Sequence, residues 1–260
     1  MPSKRSSTLR AYGMLGKSAT DAHPAGCRGD PGEVGMPLRR LTQGLREFQQ
    51  QTFAQRREFF ARLEIEQRPK VMMIACSDSR IDPGIVLKAE PGELFMVRNV
   101  ANLVPLHRPD QQHHGTSAAL DFGVNALRVQ HIIVFGHAGC GGIRALLTRQ
   151  QIEVEGPSFI QPWLNIADEA RRRTLLIARD RPLEEQLRLL EEEAIKTSLA
   201  NLLSFPWIEA GVAEGRLRVH GWLFDLHDGE VRAYVPATNS FQQLTPELAA
   251  ELSTLAGEPA

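Results

Sequence analysis

The chain is poor in cysteine and in tyrosine, with three and two among 260 residues. Three cysteines are too few for a disulfide framework, and an odd count suits a reducing compartment. No apolar run is long enough to span a membrane, and the N-terminus lacks the apolar core of a secretory signal. The formal net charge is −1, so no global field draws nucleic acid or an anionic membrane. Arg171-Arg172-Arg173 has no interleaved aromatics and reads as a solvated helix face. These absences leave a cytoplasmic globular protein with no nucleic-acid or membrane partner as the expectation. A composition of 42% hydrophobic and 23% charged residues is ordinary for that class.

Residues 1–36 are rich in Ser, Gly, Pro and Ala and read as a disordered extension, with Cys27 incidental within it. From Leu38 to about Leu63 the apolar positions take helical spacing, on a helix that could pack on its own domain or on a partner subunit. Residues 71–75, 93–97 and 130–135 read as strands, and 115–127 as a helix between the last two. A further helix begins at 142, and others cover 164–178 and 183–203. A strand over 216–226 then precedes an Asp228-Gly229 hairpin and a strand over 230–235. This order predicts a parallel sheet with helical crossovers in one domain over residues 37–240, with 241–260 as a C-terminal tail.

Two strand ends carry the chemistry. Cys76 closes the first buried strand, and His137-Ala138-Gly139-Cys140-Gly141-Gly142 follows the third. Reactive groups in open α/β sheets gather beyond the carboxyl ends of the strands. Neighbouring strands lie about 4.8 Å apart, and Cys140 can turn back toward His137. Two thiols and one imidazole make a three-ligand zinc site whose vacant position is left for water. Asp78 is two residues from a ligand and can accept a hydrogen bond at that position. Arg80 would hold Asp78 ionised through a bidentate pair.

Cys76-Ser77-Asp78-Ser79-Arg80, Pro91-Gly92-Glu93-Leu94-Phe95 with Arg98-Asn99, and the His137–Gly142 stretch together resemble the β-class carbonic anhydrases, and the loop Arg98–Pro105 with Asp121-Phe122 resembles the plant-like branch most closely. The resemblance implies a zinc enzyme interconverting carbon dioxide and bicarbonate, with Cys76, His137 and Cys140 as ligands and Asp78 and Arg80 as a catalytic dyad. Asp78 can also become a fourth ligand in this family. The implied fold is a parallel four-stranded sheet with an antiparallel edge strand, flanked by helices. It is built as a homodimer that can pair into tetramers or octamers, with the N-terminal helix on the partner. The implied substrate pocket comprises Gln67, Phe95, Val100, Phe122 and the amide of Gly141. Phe122 stands where tyrosine is usual. Met73 and Ala75 replace the Trp and Gly that mark the subset closing its site through a second bicarbonate. An open site, with Asp78 off the metal above neutral pH, is therefore expected. The rival readings are a related zinc hydrolase of carbonyl sulfide or carbon disulfide, a catalytically silent zinc-stabilised interaction protein, and a thiol-nucleophile enzyme.

Overall fold

The computed structural model describes residues 37–110, 112–149 and 156–254. Cys27 and the expected N-terminal extension lie outside them. The chain divides into two compact units after Phe60. The first holds α1 (Pro37–Glu47), a π-helical stretch over Phe48–Phe53 and the start of α2 (Arg57–Ile65). Within it the rings of Phe48, Phe53 and Phe60 pack together, while Leu38, Leu41 and Leu45 stay exposed.

In the second unit β1 (Val71–Cys76) leads through α3 (Pro83–Leu87) to β2 (Leu94–Asn99). Asp82 caps α3 by accepting the Ile85 N–H at 3.2 Å, and Pro83 supplies the fixed φ favoured in a first turn. After α4 (Gly115–Asp121) come β3 (His131–His137) and α5 (Gly141–Thr148). Helices α6 (Ile160–Leu164), α7 (Asp168–Ala178), α8 (Leu183–Leu202) and α9 (Pro206–Ala213) precede β4 (Arg218–Phe224) and β5 (Val231–Val235). The tail expected from residue 241 instead contains most of β6 (Ser240–Gln243) and α10 (Pro246–Ser253).

The sheet runs β2-β1-β3-β4-β5-β6. The first four strands are parallel, and β5 and β6 add antiparallel edges, one more than expected. Strand β1 and the interior of β3 are apolar without alternation because both sheet faces are covered. Met72, Ile74, Ile132 and Val134 pack with Ile195, Leu199 and Leu202 of α8, while Met73, Ala75, Ile133 and Phe135 form the opposite face with Phe224. The chain leaves β1 toward β2 on one side and β3 toward β4 on the other. Its winding therefore reverses between β1 and β3, and a crevice opens beyond their carboxyl ends. Cys76 and His137 end those two strands.

Among the described residues no helix is long and apolar enough to cross a membrane.

Candidate metal centre

Cys76, His137 and Cys140 are all buried, and their Sγ, ring-nitrogen and Sγ atoms lie within 4.8 Å of one another. The sulfurs are 3.9 Å apart, too far for a disulfide. Two thiolates on a tetrahedral zinc, each at about 2.3 Å, stand about 3.8 Å apart. His137 Nδ1 faces its neighbour's carbonyl, Ala138 O, at 3.0 Å. With the proton on Nδ1, the lone pair of Nε2 is directed to the thiols, and Nε2 is buried without a hydrogen-bond partner. An orphaned buried nitrogen beside two thiols is costly unless a cation accepts its lone pair. The donor set fits zinc.

The proton distribution points the same way. The Cys140 thiol donating to Cys76 drops the latter to about 4 against the cost of burial, with a further contribution from His137. The backbone amides of Asp78 and Ala101 also face the Cys76 sulfur. Ala101 itself adopts a left-handed conformation (φ 63°), rare for a residue with a side chain. The same pairing with Cys76, then burial, pushes Cys140 above the ordinary thiol range. Burial disfavours the His137 imidazolium, but Cys76 outweighs it and the net direction is upward. Cys76 thus carries the negative charge of the triad, the thiolate form that binds a metal.

Asp78 stands at the rim of this pocket. Arg80 donates to it from Nε at 2.9 Å and from Nη2 at 2.7 Å, and the Arg80 amide adds a third bond at 3.0 Å. Arg80 foremost therefore holds the Asp78 carboxyl far below the usual carboxylate range. Asp78 Oδ2 lies 3.8 Å from His137 Nε2. Arg80 Nη2 also donates to Gly139 O at 3.0 Å, tying the Asp78 turn to the turn that carries Cys140.

A family model described as carbonic anhydrase matches residues 71–231. Beta carbonic anhydrase 6, mitochondrial, from Arabidopsis thaliana is 40% identical over 183 residues, 70% of this chain and 62% of that protein. The chain belongs to the β-carbonic anhydrases. A carbonic anhydrase of Synechococcus elongatus is 32% identical over 194 residues, 75% of this chain and 70% of that protein. Among solved structures, the β-carbonic anhydrase CcaA aligns with a TM-score of 0.76 at 32% identity, over 81% of this chain and 93% of that one. One of two tetrameric β-carbonic anhydrases from Sordaria macrospora aligns at 0.64 and 27% identity, over 75% and 95%. The chain spans less than two thirds of the Arabidopsis relative. Zinc is the cofactor of β-carbonic anhydrases, and this chain supplies a Cys, His, Cys set for it.

The pocket residues implied by the family do not all meet in one chain. Val100 and Gly141 lie beside the metal centre: Val100 follows Asn99, the register partner of Cys76, and Gly141 follows Cys140. Gly142 explains how closely they pack, since a Cβ there would stand 3.0 Å from Val100 Cγ1 and 3.1 Å from Ala101 Cβ. Phe95, however, is the register partner of Met72. Four residues of strand separate Met72 from Cys76, about 13 Å. Phe122 packs on Phe95 with ring centroids 5.9 Å apart, and Gln67 precedes β1 at the same far end.

Two residues with no role assigned from sequence support the centre. Arg98 donates to the carbonyls of Cys76 at 2.9 Å, Asp78 at 2.8 Å and Ile81 at 2.6 Å, clamping the whole turn after β1. Its place in a strand-end Arg98-Asn99 pair was the available signal. Glu191 of α8 accepts the Cys140 N–H at 3.2 Å. Burial pushes its carboxyl up to about 7, against the lowering effect of the Cys140 and Gly139 amides. Nothing in the acidic run Glu191-Glu192-Glu193 distinguishes it.

Proposed function

We propose that this chain catalyses the reversible hydration of carbon dioxide to bicarbonate, with Cys76, His137 and Cys140 holding zinc. The observation that carries this reading is the meeting of three donors within 4.8 Å of one another, the sulfurs 3.9 Å apart, with a paired Asp78 and Arg80 beside them. When bound, zinc supplies a Lewis acid that turns water into a nucleophile near neutral pH.

The residues around it divide the remaining work. Asp78 is too weak a base to keep a proton, so it accepts a hydrogen bond from the reacting water and orients it. Arg80 maintains that charge and direction. The dyad pairing, with Asp78 turned to Arg80, supports the open site expected from Met73 and Ala75. Val100, partly exposed, gives apolar carbon dioxide a wall. The Gly141 amide belongs to the first turn of α5, where a helix leaves N–H groups without internal partners. It would donate to a substrate oxygen. Gln67, Phe95 and Phe122 complete the pocket from a second copy, which makes a homodimer the smallest competent unit. The exposed apolar side chains Met96 and Phe122 at that far end favour such burial. Higher assembly into tetramers or octamers belongs to the same reading. So does a cytoplasmic location, which the free thiols of Cys76 and Cys140 fit, although the Arabidopsis relatives are named mitochondrial and chloroplastic.

Metal analysis paired with a stopped-flow hydration assay tests the proposal. Wild type should hold one zinc per chain and hydrate carbon dioxide. Cys140→Ala should lose both properties, with turnover falling on the order of a thousandfold. Faster turnover of carbonyl sulfide or carbon disulfide would assign a different substrate. A zinc-loaded dimer without hydration activity would make the metal structural.

A further inference from the structure

Glu191 lies in the middle of α8 and is only 4% exposed. A buried carboxylate is expensive unless its oxygens are hydrogen-bonded. The next two acids on the helix satisfy that demand with cations: Glu192 pairs with Arg232 at 2.7 Å, and Glu193 with Arg173 at 2.8 Å and with Lys196. Glu191 instead faces backbone. It accepts the Cys140 N–H through Oε1, and the Gly139 amide also faces its carboxylate.

Those amides belong to the turn joining two of the three metal-binding side chains. The turn has little stiffness of its own. Gly139 takes a φ of +69°, and no heavy atom stands within 4 Å of where its Cβ would be, or of where that of Gly141 would be. Packing therefore leaves the Gly139–Gly141 part of the turn unconfined. Two consecutive amides held by one carboxyl group confine it, because a side chain with two acceptor oxygens can fix both N–H directions at once.

We propose that Glu191 is a positioning residue of the metal centre, fixing the turn between His137 and Cys140 so that both keep the spacing that retains zinc. It acts through the Cys140 and Gly139 backbone and touches neither substrate nor metal. The inference rests on the zinc reading above and goes beyond it by assigning retention of the ion to a side chain outside the ligand set.

The test is the rate at which zinc-loaded protein gives up its metal to a chromogenic chelator. Glu191→Ala should release zinc about 10–100-fold faster than wild type, the range for losing a group that orients a ligand. Glu191→Gln should fall between them, since an amide keeps one acceptor oxygen of the two. Ser198→Ala is the control. Ser198 is fully buried on the same helix, and its Oγ accepts the Val104 N–H at 3.2 Å away from the turn. It should lower stability and leave zinc release unchanged. Wild-type release from Glu191→Ala, or equal acceleration by Ser198→Ala, would overturn the proposal. If the alanine variant does not fold, Glu191→Gln decides: a parental release rate overturns it. Wild type without stoichiometric zinc would overturn the metal reading itself, a result separable from the other two.

Discussion

The two turns that deliver the thiols are built in opposite ways. The turn after β1, residues 76–82, is rich in side chains and largely supports itself. Asp78 binds Arg80, the Ile81 N–H reaches Asp78 O at 3.2 Å, and Asp82 caps the helix that follows. Arg98 of the neighbouring strand then clamps three of its carbonyls. The turn after β3, residues 137–142, contains three glycines and is held from outside. Glu191 takes its amides, Arg80 takes Gly139 O, and Ala138 N–H donates to Phe224 O at 2.8 Å. A turn that must present an aspartate and an arginine needs side chains and can use them as its own scaffold. A turn that must let backbone approach Val100 and Ala101 needs glycine, and borrows its rigidity.

The contrast can be broken experimentally, but the largest expected effect is one both turns share. His220 on β4 is buried 3.1 Å from His131, and burial, then the charges of His131 and Arg218, lower it to about 4. Between pH 6.5 and 4 the unfolded chain binds a proton there and the folded chain does not. Stability should therefore fall as pH drops through that window, by about 3 kcal/mol in all. Urea unfolding at a series of pH values should show this slope, and His220→Asn should flatten it. The turns are then best compared above pH 7. Arg98→Ala should cost about 2 kcal/mol of unfolding free energy, yet accelerate zinc release less than Glu191→Ala, because the self-supporting bonds of the first turn survive. The reverse order in a chelator assay would erase the distinction. The smallest effect is Asp82→Ala, about 1 kcal/mol for a lost helix cap. It should appear in thermal melts without any change in zinc release.

Much of this arrangement is legible in the chain. The runs at 71–75 and 132–135 are apolar without alternation because strands buried on both faces need no polar side, and they lie in β1 and β3. His137 and Cys140 converge because a glycine-rich turn brings both ends of a three-residue step to one point. The second antiparallel edge was not legible: Ser240-Phe241-Gln242-Gln243 carries one apolar residue, and its pairing with β5 is made by backbone bonds that any sequence could form. The buried role of Glu191 was hidden for a related reason. Three consecutive acids on a helix read as a solvated face, and only the packing of α8 against α5 and the sheet shows which one turns toward the metal centre. The far placement of Gln67, Phe95 and Phe122 illustrates a third limit, since residue identity alone does not show which end of the sheet a side chain occupies.

Trp163 donates its indole N–H to the carbonyl of Val100 at 2.7 Å, whereas the indole nitrogens of Trp207 and Trp222 are buried without partners. One of the three tryptophans is thus hydrogen-bonded to the residue proposed as the carbon dioxide wall, and its emission should follow any change at Val100 without label or substitution.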